Sequence, residues 1–144
     1  MQTVQDLLRA KGQNVYAIGP DATIYEALER MAEFDVGALV VVEGDRLAGI
    51  VSERDYARKV ELKGRQSRET RVRDIMVSHV FTVNLRQDVN DCMTLMTEKR
   101  IRHLPVVEGG RLVGLISIGD VVKAIISEQE FVIAQLEGYI TGSR

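Results

Sequence analysis

Two short motifs hold the side chains best suited to chemistry: Gly49-Ile50-Val51-Ser52-Glu53-Arg54-Asp55 and Gly114-Leu115-Ile116-Ser117-Ile118-Gly119-Asp120. In each, a serine precedes an aspartate by three residues, where an apolar run gives way to a helical pattern. A carboxylate accepts two hydrogen bonds at once, so Asp55 or Asp120 can grip a vicinal diol such as the 2′- and 3′-hydroxyls of a ribose. A serine at a strand-to-helix junction lies beside unpaired backbone N–H groups and the positive end of the helix dipole, which stabilise a phosphate. The same residues also suit a purely structural role, the serine as helix N-cap and the aspartate as favourable first-turn charge.

Other reactive types offer less. Cys92 is the only cysteine, so no internal disulfide and no thiolate metal cluster can form. It falls beside Met93 and Met96 on the inward face of a helical pattern, the place of a small core residue. His79 and His103 are the only histidines, and their spacing from cysteine and carboxylates matches no zinc pattern, so no metal is expected. Asp88 and Asp91 read as helix N-terminal charge. No nucleophile has a positioned base, which argues against an enzyme. A net charge of −2 with interspersed signs lacks the basic face of a nucleic-acid binder. The first twelve residues carry no apolar h-region, and no apolar run approaches the ~18 residues of a spanning helix. A soluble protein of the reducing cytoplasm is the expectation.

Both motifs sit in an internal repeat. At a spacing of 65 residues Gly49 falls on Gly114, Ser52 on Ser117, Asp55 on Asp120, Met31 on Met96 and Leu39 on Leu104. Val41-Val42-Glu43-Gly44 likewise falls on Val106-Val107-Glu108-Gly109. A lead-in repeats too, Val4-Gln5-Asp6-Leu7-Leu8 against Val72-Arg73-Asp74-Ile75-Met76, but at a spacing of 68, so the first copy has three extra residues before its first strand. Two copies are too few for a solenoid and point to one unit built by pseudo-two-fold pairing.

Each copy reads strand, helix, strand, strand, helix. In the first, residues 15–18 form a short strand, and Thr23 with Glu26 has the spacing of a capping box. Ile24, Ala27, Leu28 and Met31 then mark one helix face. Residues 38–42 and 47–52 are strands joined by a tight turn, and a second helix starts near Glu53. In the second copy Pro105 opens the middle strand. The expected bounds are 1–63 for the first repeat with its lead-in helix, 64–71 for a polar linker, 72–127 for the second repeat and 128–144 for a helical extension. Past Asp120 an apolar stripe through Val121, Ile125, Val132, Leu136 and Tyr139 or Ile140 is either a core flap or a dimer surface.

The repeated strand-turn-strand-helix ending in the two quoted motifs, with Arg100-Ile101-Arg102-His103-Leu104-Pro105-Val106-Val107 as a middle strand, resembles the cystathionine-β-synthase (CBS) domain family over nearly the whole chain. The resemblance implies an α/β (α+β) fold in which two CBS repeats pack sheet to sheet as a Bateman module. Two clefts related by the pseudo-two-fold axis would then hold AMP, ADP, ATP or NAD. It implies a regulatory module that signals by a change of shape or partner, with a homodimer and an unidentified protein as partners; no catalytic cofactor, nucleic acid or membrane is expected. The alternative is an interaction module with vestigial clefts.

By the same resemblance each cleft crosses the repeats. Ser52, Arg54 and Asp55 would face His79, Phe81, Ile101, Arg102 and His103, while Ser117, Ile118 and Asp120 would face Asn14, Tyr16, Val36, Gly37 and Ala38. Arg54, Arg102 and His103 give the Asp55 cleft candidates for phosphate charge. The Asp120 cleft has Gly119 in place of Arg54 and little cationic charge unless Lys11 extends into it.

Overall fold

The structure, a computed structural model, describes residues 1–12 and 14–140, the last two of these by backbone alone. The first repeat runs α1 (Val4–Lys11), β1 (Ala17–Ile18), α2 (Ile24–Phe34), β2 (Ala38–Glu43), β3 (Arg46–Ser52) and α3 (Glu53–Tyr56), which continues as a π turn over Ala57–Glu61. The second runs α4 (Val72–Ile75), α5 (Val89–Lys99), β4 (His103–Glu108), β5 (Arg111–Ser117) and the long α6 (Ile118–Ile140). The mixed fold read from the sequence is the one observed.

Local chemistry explains most element ends. Thr3 caps α1 in a full capping box with Asp6, and Gly12 at φ 96° ends it. Thr23 caps α2 by accepting from the Glu26 N–H at 3.1 Å, but the reciprocal half of that box is not formed. β2 and β3 form a hairpin turned at Gly44, whose φ of 64° suits a residue without Cβ, and β4 and β5 repeat it.

The two copies differ at the first strand. In the first, β1 runs parallel to β2, and the Val40 N–H donates to the Tyr16 carbonyl at 3.2 Å. Pro105 stands where Val40 stands and has no N–H to give, so the matching strand shrinks to one bridge between Val83 and Val106. Pro105 also lies inside β4, which begins two residues earlier at His103.

The lead-in helices are exchanged between the cores. Ile18, Ile24, Ala27, Met31, Leu39, Val41 and Val51 of the first repeat pack with Val72 and Ile75 of α4. Val83, Val89, Cys92, Met96, Leu104, Val106 and Ile116 of the second pack with Val4, Leu7 and Leu8 of α1. Bounds drawn along the chain therefore assign each lead-in to one repeat, while its apolar face is buried in the other. The two motif glycines are what this exchange needs. A Cβ on Gly49 would lie 2.6 Å from the Val77 carbonyl oxygen, and one on Gly114 would lie 2.9 Å from Leu8 Cδ1.

β3 and β5 face each other and bring the two motifs to one interface. Along α6, Val121 is buried and Ile125 packs on the second core, whereas Phe131, Val132, Ile133 and Leu136 are exposed. The side chains of Tyr139 and Ile140, placed in the same stripe by the sequence, and residues 141–144 of the expected extension lie outside the described residues.

Candidate ligand-binding clefts

Each motif aspartate is built into the turn that starts a helix. At the first junction the Ser52 N–H and hydroxyl both donate to Asp55 Oδ2 at 3.0 Å, and the Asp55 N–H donates to Ser52 Oγ at 3.2 Å. At the second, the Ser117 N–H donates to Asp120 Oδ2 at 2.8 Å and the Asp120 N–H to Ser117 Oγ at 3.1 Å. These are capping boxes, so the structural role of the serine–aspartate pairs is present at both sites. Each box uses Oδ2 alone. Asp55 Oδ1 lies 3.1 Å from Lys59 Nζ, and Lys59 also donates to the Ile75 carbonyl.

Each helix start is tied to the middle strand of its own repeat, one rung beyond the hairpin ladder. The Glu53 N–H donates to the Gly37 carbonyl at 3.0 Å, and the Ile118 N–H to the Arg102 carbonyl at 2.8 Å. Between the repeats lie two clefts. The first, about 510 Å³, sets Ser52, Arg54 and Asp55 opposite His79, Phe81, Ile101, Arg102 and His103. The second, about 310 Å³, sets Ser117 and Asp120 opposite Asn14, Tyr16, Val36, Gly37 and Ala38, with Lys11 in its wall. Both volumes fall in the range of small-molecule sites.

A family model described as CBS domain matches residues 4–62 and again 72–127. The chain belongs to the CBS domain family. It is 41% identical over 149 residues to the CBS domain-containing protein CBSX3, mitochondrial, of Arabidopsis thaliana, an alignment covering 97% of this chain and 72% of that protein. A solved protein with CBS domains from Burkholderia ambifaria superposes with a TM-score of 0.86 at 51% identity, over 89% of this chain and 96% of that one. The hexameric CBS-CP12 protein from bloom-forming cyanobacteria superposes at 0.75 with 33% identity, over 85% of this chain and 70% of that one.

The CBS pair thus gathers nearly all the residues singled out in its sequence into two clefts. Ile118 is the exception: it does not line the second cleft but packs against the second core, since it directly follows the junction serine and its side chain falls on the buried side of α6. The first cleft also contains Arg100, which the sequence reading passed over. It ends α5 in a left-handed conformation at φ 55°, a role that helical periodicity does not signal. His103 and Gly37 line both clefts, so the wall between them is shared.

The charges are unequal. Arg54, Arg100 and Arg102 surround the first cleft. In the second, burial pushes the Asp120 carboxyl up, but hydrogen bonds from Lys11 and the Ser117 N–H, with the Lys11 charge, outweigh it and hold the group below its ordinary value. Burial pushes His103 below its ordinary value, aided by Lys11 and Arg102 and opposed by Asp120. Phe81 is 43% exposed beside the first cleft, while Tyr16 of the second stacks on Phe34 at 4.2 Å.

Cys92 is fully buried, and burial, with Asp91 and Asp88, raises its thiol to about 11, which leaves no nucleophilic thiolate near neutral pH. Among the described residues no cluster of His, Cys, Asp or Glu is arranged for a metal ion, and no helix is long and apolar enough to cross a membrane.

Proposed function

We propose that this CBS pair is a non-catalytic regulatory module that binds an adenine nucleotide (AMP, ADP, ATP or NAD) in its first cleft. One observation carries the reading: a cavity of about 510 Å³ in which Asp55 and Ser52 of one repeat confront an apolar and aromatic wall, Phe81 and Ile101, with three arginines at hand. A carboxylate for the ribose, a flat apolar slot for the base and guanidinium groups for phosphate are the three chemistries a nucleotide presents. The signal would be a change of shape or of protein partner. Self-association as a homodimer through the exposed face of α6 is part of the reading, supported by the hexameric state named for the CBS-CP12 relative. A reducing compartment such as the cytoplasm suits its buried free thiol.

A second reading, an assembly module whose clefts bind nothing, draws on the capping boxes, because they give Ser52, Asp55, Ser117 and Asp120 a role without any ligand. Thermal shift with AMP, ADP, ATP and NAD separates the two. A ligand that binds only the folded state stabilises it by about 2.7 kcal/mol at a hundred times its Kd, which moves the melt of a chain of this size by roughly 5–10 °C. A flat response to all four nucleotides would favour the assembly module.

A further inference from the structure

We infer that Arg100 and Asp35, which occupy equivalent left-handed helix ends at the mouths of the two clefts, are specificity-determining residues that admit a phosphorylated ligand to the first cleft and turn it away from the second. The inference rests on the nucleotide reading of the first cleft. The two positions are 65 residues apart, the spacing of the repeat. Asp35 ends α2 at φ 52° and Arg100 ends α5 at φ 55°. The next residue closes each end alike: the Val36 N–H donates to the Met31 carbonyl at 3.0 Å, and the Ile101 N–H to the Met96 carbonyl at 3.1 Å. Matching backbones thus place an acid at the rim of the second cleft and a guanidinium at the rim of the first. Aspartate tolerates a left-handed backbone, but arginine has no such preference, and glycine is the usual residue at a helix end of this kind. Helix capping accounts for Asp35 and leaves Arg100 without a structural reason.

The contrast does not come from the motif aspartates. Each gives Oδ2 to its cap and pairs with a lysine, and Asp120 Oδ1 accepts no hydrogen bond among the described residues, so the second cleft could still hold a diol. It comes from the rims. Arg54, Arg100 and Arg102 line the first cleft with no ion pair or side-chain hydrogen bond among the described residues, unlike Arg71 and Arg73, which share Asp21. Against them stands one unpaired acid, Glu53, since Asp55 is balanced by Lys59. In the second cleft Lys11 balances Asp120, and Asp35 remains, unpaired among the described residues. His103 lines both clefts and does not distinguish them. At the repeat spacing Arg54 falls on Gly119, Arg102 on Gly37 and Arg100 on Asp35, so only at the last is the charge reversed and not merely lost. A phosphate dianion meets an excess of positive charge in the first cleft and of negative charge in the second.

Calorimetric titration of the full chain with AMP tests this. Wild type is expected to bind one AMP per chain. Arg100→Gly, which suits the left-handed backbone better, should melt no earlier than wild type and still raise Kd by at least about fivefold, because a rim charge facing a dianion is gone. Arg100→Asp, which carries the charge of the other rim, should raise it further, and Arg100→Lys should stay within about twofold of wild type. Asp35→Arg is expected to bind two AMP, on a backbone that Arg100 shows an arginine can adopt. Asp35→Asn, titrated beside it in case that variant melts early, is expected to bind two as well. A smaller rise in Arg100→Gly, a loss in Arg100→Lys as large as in Arg100→Gly, two AMP in wild type, or a single AMP in the folded Asp35 variants overturns the inference and leaves the first-cleft reading intact. No binding by wild type or any variant overturns both.

Discussion

Replacing Leu8 by alanine is expected to loosen the second repeat, although Leu8 lies in the chain before the first. The side chain is 1% exposed and packs over Gly114 of β5, inside the cluster formed by Leu104, Val106 and Ile116. A buried Leu→Ala change costs about 2–5 kcal/mol, the larger values arising where neighbours cannot relax into the cavity. Gly114 has no side chain to move into the space, so the upper half of that range is expected. At about 2–4 °C per kcal/mol for a chain of this size, the melt should fall by roughly 7–20 °C. Hydrogen exchange should locate the damage: amides of α5, β4 and β5 lose protection before those of β2 and β3. Adding Gly114→Ala should recover part of the loss, since the new methyl enters space that Leu8 Cδ1 would otherwise hold at 2.9 Å. A loss below about 1 kcal/mol, or loosening confined to the first repeat, would refute the exchange of lead-in helices.

Gly49→Ala should destabilise more than Gly114→Ala in urea titrations. Its Cβ would meet the Val77 carbonyl oxygen at 2.6 Å, and Val77 is pinned by two backbone hydrogen bonds to Ile50, whereas the clash at Gly114 is with the end of a side chain. Stability should also fall in acid. His103 is held below its ordinary 6.5, so its contribution is complete above that value and drains away as pH drops through and below it; Asp120, held below 3.8, extends the loss further down. A melting temperature that stays level from pH 7 to pH 5, or a fall equally present in His103→Gln, would contradict that assignment. Lastly, AMP affinity should weaken as salt rises to ~0.5 M, and Arg102→Ala should flatten the dependence, because a guanidinium–phosphate attraction is screened and its removal leaves less to screen. Parallel slopes for the two proteins would remove Arg102 from the phosphate site.

The repeat made most of this architecture legible. Ser52 and Asp55 with Ser117 and Asp120, in register after matching apolar runs, fixed where two helices start and which strands precede them. The cleft walls followed from the family resemblance, and Ile118 fell outside because one residue past the junction is enough to turn a side chain onto the core. The exchange of α1 and α4 was not legible, since periodicity marks a buried face without naming what buries it. Lys11 was obscured for a related reason: three extra residues break the register before β1, and only the anchoring of Leu7 and Leu8 shows where the helix end points. Arg100 was hidden by its left-handed backbone, and the shrunken first strand of the second repeat is explained only when Pro105 is seen at the position of Val40.

The central claim is that Asp55 holds a ribose as well as capping its helix, and calorimetric titration of wild type and Asp55→Ala with AMP tests it most directly. Loss of a charge-assisted pair of hydrogen bonds should cost on the order of 1.5–3 kcal/mol, about a tenfold to hundredfold rise in Kd. Melting curves confirm that the variant, which also loses its capping box and the Lys59 pair, is folded at the titration temperature. An AMP affinity that drops by that amount in a folded Asp55→Ala protein is the predicted result. An unchanged affinity would contradict the account and leave the aspartate as a helix cap alone.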